Sequence, residues 1–403
     1  MKRVLISFVA AGALLGQLGA AEIYKDGDKS FGVFGVANAV IGYGWNFDSF
    51  AYKAKTDAGT TRGRSLNQQN DLIYGIQGNS RIGLNFTVGK VFGAALIGAG
   101  ESTFYGGSDT AGFRQLYAGY DFGDAGKLLA GKNELVTSMG GFSSSIFDTE
   151  SGLNGFGGTS TSTRRFQIAY SVAGLTVSIS QNEFGTGASY KNWQKQIPRI
   201  SLGYEYKDES IRAKVAASYA HKNATAANSG HRDMVLVTAG VRPVFGDAYV
   251  SALLTYGLNA DLIGETKITG AKIPRGFGVG VTGHTSINPN ATNPDEHYTN
   301  LNGGDRNTYA AMLEFGYNLT NDLAFKVGAG YQFASAHTEG GAYDKLHSYS
   351  AFVQLPYKVG GGFSIIPQVG YLGTTKQEYN AVGSKTNYNT GSVLAEVLFK
   401  IAF

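Results

Sequence analysis

The stretch Ser392-Val-Leu-Ala-Glu-Val-Leu-Phe-Lys-Ile-Ala-Phe403 alternates without a break. One parity carries Val393, Ala395, Val397, Phe399, Ile401 and Phe403, and the other carries Glu396 and Lys400. Because successive side chains of a β-strand point to opposite faces, this pattern predicts a strand with lipid on one face and water on the other. We therefore interpret it as the closing strand of a transmembrane β-barrel. Arginine at Val397 should then destabilise the fold, whereas arginine at Glu396 should be tolerated.

The same period of two recurs along the chain, and a helical period of 3.6 is nearly absent. Residues 211–219, 309–317 and 323–333 are examples, and their apolar sets begin or end in Tyr or Phe. Aromatic rings at strand ends are typical of barrels that cross a bilayer. A soluble sandwich would alternate in the same way, so this pattern alone leaves both folds open.

Short and long connections alternate between the predicted strands. The predicted short connections are 89–90, 122–127, 173–174, 207–210, 245–247, 318–322 and 359–362, and the long ones are 45–71, 102–111, 135–163, 183–197, 222–232, 334–346 and 375–388. Outer-membrane barrels alternate periplasmic turns and external loops in this manner. The rhythm therefore favours the barrel over the sandwich.

The strand count remains open between two even numbers. If residues 273–284 belong to one long external loop, the barrel has about 16 strands; if a further weak strand lies in 261–270, it has about 18. We prefer 16. A barrel of either size leaves an aqueous channel, whereas about 8 strands would be filled by side chains.

The composition supports an exported, strand-rich protein without disulfides. The chain has 58 Gly, 24 Tyr, 24 Phe and no Cys among 403 residues, and 43% of its residues are hydrophobic. The formal net charge of +4 is spread along the chain. Nucleic-acid binding needs a clustered basic face, so we expect no such partner.

The first 21 residues have the layout of an export signal. Met1-Lys2-Arg3 is basic, residues 4–15 are uncharged and largely apolar, and residues 16–21 include small side chains. Cleavage after Ala20 and cleavage after Ala21 both fit. The sequence thus predicts a signal peptide at 1–21 and one barrel domain at 22–403, located in the outer membrane.

Several stretches resemble the general diffusion porins of Gram-negative outer membranes. These are Ala21-Glu-Ile-Tyr-Lys-Asp-Gly-Asp-Lys29 with the following residues 31–38, then residues 113–123, 131–133 and 164–171, and the terminal Phe403. The resemblance implies a homotrimer of 16-stranded barrels in which the third external loop folds inward and narrows the lumen.

On this resemblance, loop three is residues 135–163. It implies a constriction formed by Asp148 and Glu150, with Glu134 at the root of the loop, facing basic residues of the wall. Two features depart from the family. Its Pro-Glu-Phe-Gly-Gly motif is absent, and Val36 stands where many members have a lysine.

Strand parity independently predicts which charges face the lumen. The inward basic residues are Arg81, Arg165, Arg212, Lys214 and Lys326, and the inward acids are Glu205, Glu314 and Glu396. Arg114 shares its parity with Leu116 and Tyr120, so the pattern does not place it inside, whereas the resemblance does. The basic excess suggests a weak anion preference that Asp148 and Glu150 could cancel.

These features predict a passive channel for small hydrophilic solutes and ions, with the lipid bilayer as its surroundings. Two alternatives stay open: a substrate-specific outer-membrane channel, and an adhesin or structural barrel with a plugged lumen. Residues 278–283 match a dinucleotide glycine pattern but lack the strand and helix around it. We therefore expect no enzyme activity, no cofactor and no bound metal.

Overall fold

The computed structural model describes residues 21–56, 59–77, 79–99, 111–147, 153, 155–158, 164–181, 198–222, 232–260, 305–337, 343–379 and 385–403. These residues form one sheet of antiparallel strands. The strands are β1 (Ala21–Asp26), β2 (Lys29–Thr56), β3 (Gly59–Ile76), β4 (Arg81–Val88), β5 (Val91–Ala99), β6 (Ala111–Asp121), β7 (Lys127–Glu134), β8 (Arg164–Val172), β9 (Leu175–Ser180), β10 (Arg199–Lys207), β11 (Ile211–Lys222), β12 (Arg232–Phe245), β13 (Ala248–Leu258), β14 (Arg306–Asn318), β15 (Ala324–His337), β16 (Tyr343–Gln354), β17 (Tyr357–Gly360), β18 (Phe363–Tyr379) and β19 (Lys385–Ala402). Within the described residues, no helix is both long and apolar enough to span a membrane.

The sheet closes on itself into a barrel. Strand β19 pairs with β2, and β9 pairs with β10, so the described wall is continuous. The 19 strands occupy fewer positions around the wall, because three positions each contain two strands. Strands β3 and β4 both pair with β2, β16 and β17 both pair with β18, and β1 and β19 lie on the same side of β2. The wall therefore has 16 positions, as predicted. Because β13 pairs directly with β14, the 18-strand alternative is wrong.

The barrel closes where β2 meets the C-terminal strand β19. The backbone N–H of Gly35 donates to the carbonyl of Phe403 at 2.8 Å, and the N–H of Phe403 donates to the carbonyl of Gly35 at 3.1 Å. Just beyond this pair, Ala21 of β1 pairs with Val33. A Cβ on Gly35 would lie 2.4 Å from the ring of Phe403, so this seam requires a glycine.

Connections alternate between the two ends of the barrel, as the sequence predicts. The turn end carries two-residue links such as 89–90, 173–174 and 246–247, and the loop end carries the long links. The expected loops at 334–346 and 375–388 are too long, because strands β15, β16, β18 and β19 extend into them. The expected loop at 45–71 is wrong. Those residues extend the hairpin of β2 and β3 in continuous register to the pair Thr56 and Gly59. Since β19 also pairs with β2 up to Lys53, ladder hydrogen bonds satisfy this polar backbone from both sides.

The two faces of the wall differ as the alternation predicts. Along β14, the outward Tyr309, Leu313 and Phe315 are exposed, and the inward Met312 and Glu314 are buried. Outward aromatic side chains form two bands, with Tyr120, Tyr170, Tyr204, Phe245 and Tyr317 at the turn end and Trp45, Phe113, Phe166, Tyr219, Tyr309 and Tyr331 at the loop end. An apolar outer surface between two aromatic bands fits a membrane-spanning barrel and excludes the sandwich.

Candidate functional site

Loop three leaves the wall where β7 and β8 end side by side. Glu134 pairs with Arg164 across these strands, with 3.0 Å between Oε1 and Nη2. Ser138 Oγ donates to the other carboxylate oxygen at 3.4 Å, and Gln167 Nε2 donates to the Glu134 carbonyl at 2.6 Å. Glu134 is thus the last residue of β7, where the loop begins. Its charge is matched by Arg164, which the sequence analysis did not select as a site residue.

From this root, residues 138–147 run along the inner faces of β11 to β18. We call this segment the belt. Its first carbonyls are held by cations of the wall: Lys214 Nζ donates to Ser138, Arg212 Nη1 to Gly140 at 2.9 Å, and Arg242 Nη1 to Gly141 at 2.8 Å. Carbonyl groups of irregular backbone that is buried against the wall need such partners, because water cannot reach all of them.

Neutral and acidic side chains of the following strands hold the rest of the belt. Ser251 of β13 donates to the Phe142 carbonyl at 2.6 Å, and Glu314 of β14 accepts from the Ser144 N–H at 2.7 Å. The remaining bonds are Gln354 Nε2 to the Ser144 carbonyl at 3.0 Å, the Ile146 N–H to Gln368 Oε1 at 3.1 Å, and Gln77 Nε2 to the Ile146 carbonyl at 3.1 Å. Successive wall strands therefore fasten the belt along its length.

The belt also buries an apolar surface against the wall. Its members Met139, Phe142, Ile146 and Phe147 cluster with the inward wall residues Val40, Leu253, Met312, Phe352, Leu372, Leu394 and Leu398. Glycines of the wall admit the two rings, because a Cβ on Gly240 would lie 2.9 Å from Phe142 and one on Gly370 would lie 2.6 Å from Phe147. Removing this apolar surface from water stabilises the belt in addition to its hydrogen bonds.

Arg212 joins the belt to the wall by three contacts. Beyond its bond to Gly140, its Nε donates to Glu205 Oε1 at 2.8 Å, and its guanidinium carbon lies 4.7 Å from the centre of the Phe142 ring. Lys214 lies 4.0 Å from the same carboxylate. The structure thus places both predicted wall cations on loop three itself.

Two acidic side chains on the inner face are almost completely covered. Glu314 is 0% exposed and receives hydrogen bonds from Tyr249 Oη at 2.6 Å and from Ser144. Glu396 is 2% exposed, and neither carboxylate oxygen has a hydrogen-bond partner in the part of the chain that the structure describes. The expectation that Glu396 faces open water is therefore wrong, because β19 lies beside the belt.

Two further predicted wall cations, Arg81 and Arg165, take no part in the belt contacts described above, whereas Lys326 lies near Glu314 and Arg242. Arg81 begins β4 on the inward parity and donates to the Asn79 carbonyl at 3.4 Å. Arg165 also has the inward parity, with Phe166 and Ile168 exposed outside. Asp148 and Glu150 fall outside the described residues.

A β-bulge resolves the position of Arg114. The register between β5 and β6 shifts between Leu96 and Ile97, so that Gln115 pairs with Leu96 and Phe113 pairs with Ile97. Phe113 and Leu116 both point outward, and the Arg114 side chain lies against the inward Gly98, where an added Cβ would approach its Cδ to 2.2 Å. The pattern alone misplaced Arg114 because one extra residue shifts the alternation.

Arg242, Ser251, Gln354 and Gln368 were missed by the sequence analysis as residues that hold the loop. Each of them has the inward parity of its strand, so the alternation places all four on the inner face. Their partners are backbone groups of an irregular segment, which no periodicity in the sequence reports.

Comparisons with known proteins find the same fold in solved structures of outer-membrane proteins. The sequence matches no family model and no curated protein. Among solved structures, the chain is similar to the outer membrane channel DcaP of Acinetobacter baumannii, with 14% identity, a TM-score of 0.56, and coverage of 95% of this chain and 100% of that chain. It is also similar to an anion-selective porin from Comamonas acidovorans, with 16% identity, a TM-score of 0.52, and coverage of 93% and 100%. At these identities the similarity shows the fold, which is that of a porin-like outer-membrane β-barrel.

Proposed function

We propose that this protein is an outer-membrane porin through which small hydrophilic solutes and ions diffuse passively. The observation that carries the proposal is a closed wall of 16 strands with an apolar outer face, a largely polar inner face and a loop fastened inside. Barrels of this size are wide enough to enclose an aqueous channel. No bond chemistry is involved, and the solute moves down its own gradient.

The belt occupies one side of the lumen, so the passage is proposed to lie between loop three and the opposite wall. Arg81, Arg114 and Arg165 are the basic wall residues that we assign to this passage, and Asp148 and Glu150 are the loop acids that we assign to face them. Opposed charges across a narrow channel create a transverse field, which favours hydrated polar solutes over apolar ones.

Charge substitution in loop three tests this assignment. Asp148→Asn combined with Glu150→Gln should shift the reversal potential in a salt gradient toward anion selectivity, because two negative charges leave the passage. Asp124→Asn is the matched control, because Asp124 is exposed on the turn between β6 and β7. An unchanged potential in the double variant would remove both acids from the constriction.

Planar-bilayer recording separates the channel from its two alternatives. Large conductance steps that are linear in voltage and proportional to salt concentration support a diffusion porin. Currents that saturate with one solute support a substrate-specific channel. The second alternative is a plugged lumen in a barrel that acts as an adhesin or structural element. The complete burial of the inward Glu314 is the observation that makes this alternative worth testing. Absence of current from folded protein would support that reading and overturn the channel.

We further propose that residues 1–21 are a signal peptide, that the mature barrel resides in the outer membrane, and that it assembles as a homotrimer. The basic, apolar and small-residue sequence of the first 21 positions supports the signal. Oligomerisation is tested by running detergent-solubilised protein on a gel before and after heating. A high-mass band that converts to a monomer on heating is expected, and a monomer in both lanes would contradict the trimer.

A further inference from the structure

Loop three meets the wall a second time after the belt, through a turn formed by residues 153 and 155–158. We call these residues the anchor turn. The N–H groups of Phe156 and Gly158 both donate to the Leu153 carbonyl, at 2.8 and 2.9 Å. The Leu153 and Phe156 side chains are buried in the same apolar cluster as Phe147 of the belt. The anchor turn is therefore packed inside the barrel.

Strand register places the anchor turn beside the belt and closer to the loop end. The belt contacts the inward row of side chains that contains Glu314 of β14. Two positions nearer the loop end, Met312 belongs to the next inward row, which continues through Gly330 of β15 and Ser350 of β16. Ser350 Oγ donates to the Phe156 carbonyl at 2.8 Å. Loop three therefore covers two successive rows of the wall.

Two glycines allow the anchor turn to approach the wall this closely. A Cβ on Gly157 would lie 2.5 Å from the Ala311 carbonyl oxygen and closer still to the Tyr331 backbone nitrogen. A Cβ on Gly330 would overlap the Phe156 carbonyl oxygen. Because these neighbours are backbone atoms, a side chain at either glycine would displace the anchor turn from the wall.

The conformation of Leu153 also indicates that the wall holds the anchor turn. Its φ is 59°, in the left-handed region that residues other than glycine seldom adopt. Such a conformation persists only where the surrounding contacts determine it. Here the Leu153 side chain is 1% exposed and clusters with Met312, Phe352 and Leu372.

The belt and the anchor turn together attach both ends of a short stretch of loop three. At one end, Phe147 packs where Gly370 leaves room for its ring, and at the other end Leu153 begins the anchor turn. Asp148 and Glu150 lie between these ends in the sequence. Since each residue of a chain spans at most about 3.6 Å, two attached ends limit how far these acids can lie from the wall.

We propose that Gly157, Gly330 and Ser350 are positioning residues for the acidic side of the passage. They seat the anchor turn on the wall and thereby keep Asp148 and Glu150 in place. This inference rests on the proposed function, in which the two acids face basic residues across the passage. It predicts that a neutral substitution at Gly330 changes the ion selectivity although it alters no charge.

Gly330→Ala tests the inference in planar bilayers under a salt gradient. We expect the reversal potential to shift toward anion selectivity by half or more of the shift in Asp148→Asn/Glu150→Gln, because the displaced turn no longer positions the acids. Ser350→Ala, which removes only the hydrogen bond, should give a smaller shift in the same direction. Adding Gly330→Ala to the acid double variant should shift the potential no further.

The matched control is Gly112→Ala in β6, where an added Cβ meets no atom within 4 Å. Its reversal potential should equal that of the wild type. Hydrogen exchange followed by mass spectrometry reports the anchor turn independently of the current. The Phe156 and Gly158 amides should exchange faster in Gly330→Ala than in Gly112→Ala, and heat-dependent gel mobility shows that both variants are folded.

The outcomes separate this inference from the proposed function. If Asp148→Asn/Glu150→Gln shifts the potential and folded Gly330→Ala does not, the positioning role is overturned and the assignment of the acids stands. Unchanged amide exchange in Gly330→Ala overturns the role of the glycines in the same way. If the acid double variant itself leaves the potential unchanged, the assignment of the acids fails and the inference is overturned with it.

Discussion

The inner faces of β11 to β18 and those of β4, β5 and β6 follow the same alternating pattern but have different surroundings. On the belt side, Arg212, Ser251 and Gln354 are all bonded to loop three. On the opposite side, Asn85 and Thr87 are partly exposed and make no side-chain hydrogen bond within the described residues. Alternation therefore determines which way a side chain points, and loop three determines whether that side chain meets protein or the lumen.

The largest expected effect is a charge placed under the belt. Glu396→Arg should lower the free energy of unfolding in lipid vesicles by roughly 3 to 5 kcal/mol, because an uncompensated cation would be buried against Leu394 and Leu398. Thr87→Arg, inward on β4 and away from the belt, should change it by about 0.5 kcal/mol or less, since the side chain can reach water. Denaturant titration measures both. Equal losses would remove the distinction between the two sides.

The lipid face of the same strand provides the second test. Val397→Arg should cost about 2 to 4 kcal/mol of unfolding free energy if Val397 lies near the middle of the bilayer. On the belt side, both faces of β19 are thus intolerant of arginine, and tolerance at Glu396 is no longer expected. A stable Val397→Arg variant would contradict the assigned parity of the strand.

Loss of one belt cation should have an intermediate effect. Arg212→Ala should destabilise the barrel by roughly 1.5 to 3 kcal/mol, because the Gly140 carbonyl and Glu205 both lose a charged donor. Single-channel currents should become noisier as the belt loosens. Arg81→Ala, away from these belt contacts, is the control and should leave the current noise unchanged. Quiet currents in both variants would argue that the belt does not border the conducting path.

A neutral hydroxyl gives a smaller effect. Ser251→Ala should cost about 0.5 to 1.5 kcal/mol through loss of the bond to the Phe142 carbonyl. The control is Ser178→Ala on β9, where the buried hydroxyl has no partner in the described residues. Removing the Ser178 hydroxyl should change the free energy of unfolding very little. A larger loss of stability in Ser178→Ala than in Ser251→Ala would contradict the assigned contact.

The smallest effect is expected at the turn between β10 and β11, outside both sides of the lumen. Asp208 accepts hydrogen bonds from the Tyr206 hydroxyl, from the backbone and side chain of Ser210 and from the backbone N–H of Ile211. These bonds lower the pKa of Asp208 to about 2. This contribution to stability is therefore present above the unfolded pKa of about 4 and is lost as the pH falls through about 2. Asp208→Asn should unfold slightly more easily than wild type at pH 7, and the difference should shrink as the pH falls from about 4 toward 2. A difference that stays constant over this range would assign the effect to another cause.

Much of the fold could be predicted from the sequence because its signal is local. The 16 wall positions, the two faces and the alternation of turns and loops all follow from side-chain parity and turn residues. Errors arose where pairing partners decide the outcome. Residues 45–71 looked like a loop because they are polar, yet β19 and β3 extend β2 by pairing with it.

The candidate site was less predictable, because it depends on contacts between distant segments. Leu394 and Leu398 occupy the parity expected to face water, and only the belt explains their burial. Arg114 depends on a bulge of one residue, which shifts the alternation so that Phe113 and Leu116 both face outward. The inward direction of Arg212 could be predicted from its parity. Its hydrogen bond to the Gly140 carbonyl could not, since that carbonyl lies 72 positions away in the sequence.

The most direct test of the account is to cross-link the belt to the wall and record the current. The chain has no cysteine, so Ser145→Cys and Gln368→Cys would supply its only thiols, and in the wild type Ser145 Oγ lies 3.3 Å from Gln368 Nε2. The account predicts that a short thiol-reactive cross-linker joins this pair almost completely without changing single-channel conductance, whereas Ser145→Cys with Thr87→Cys remains unlinked. Failure of the first pair to link, linkage of the second, or a loss of conductance on linkage would contradict a belt fixed on one side of an open lumen.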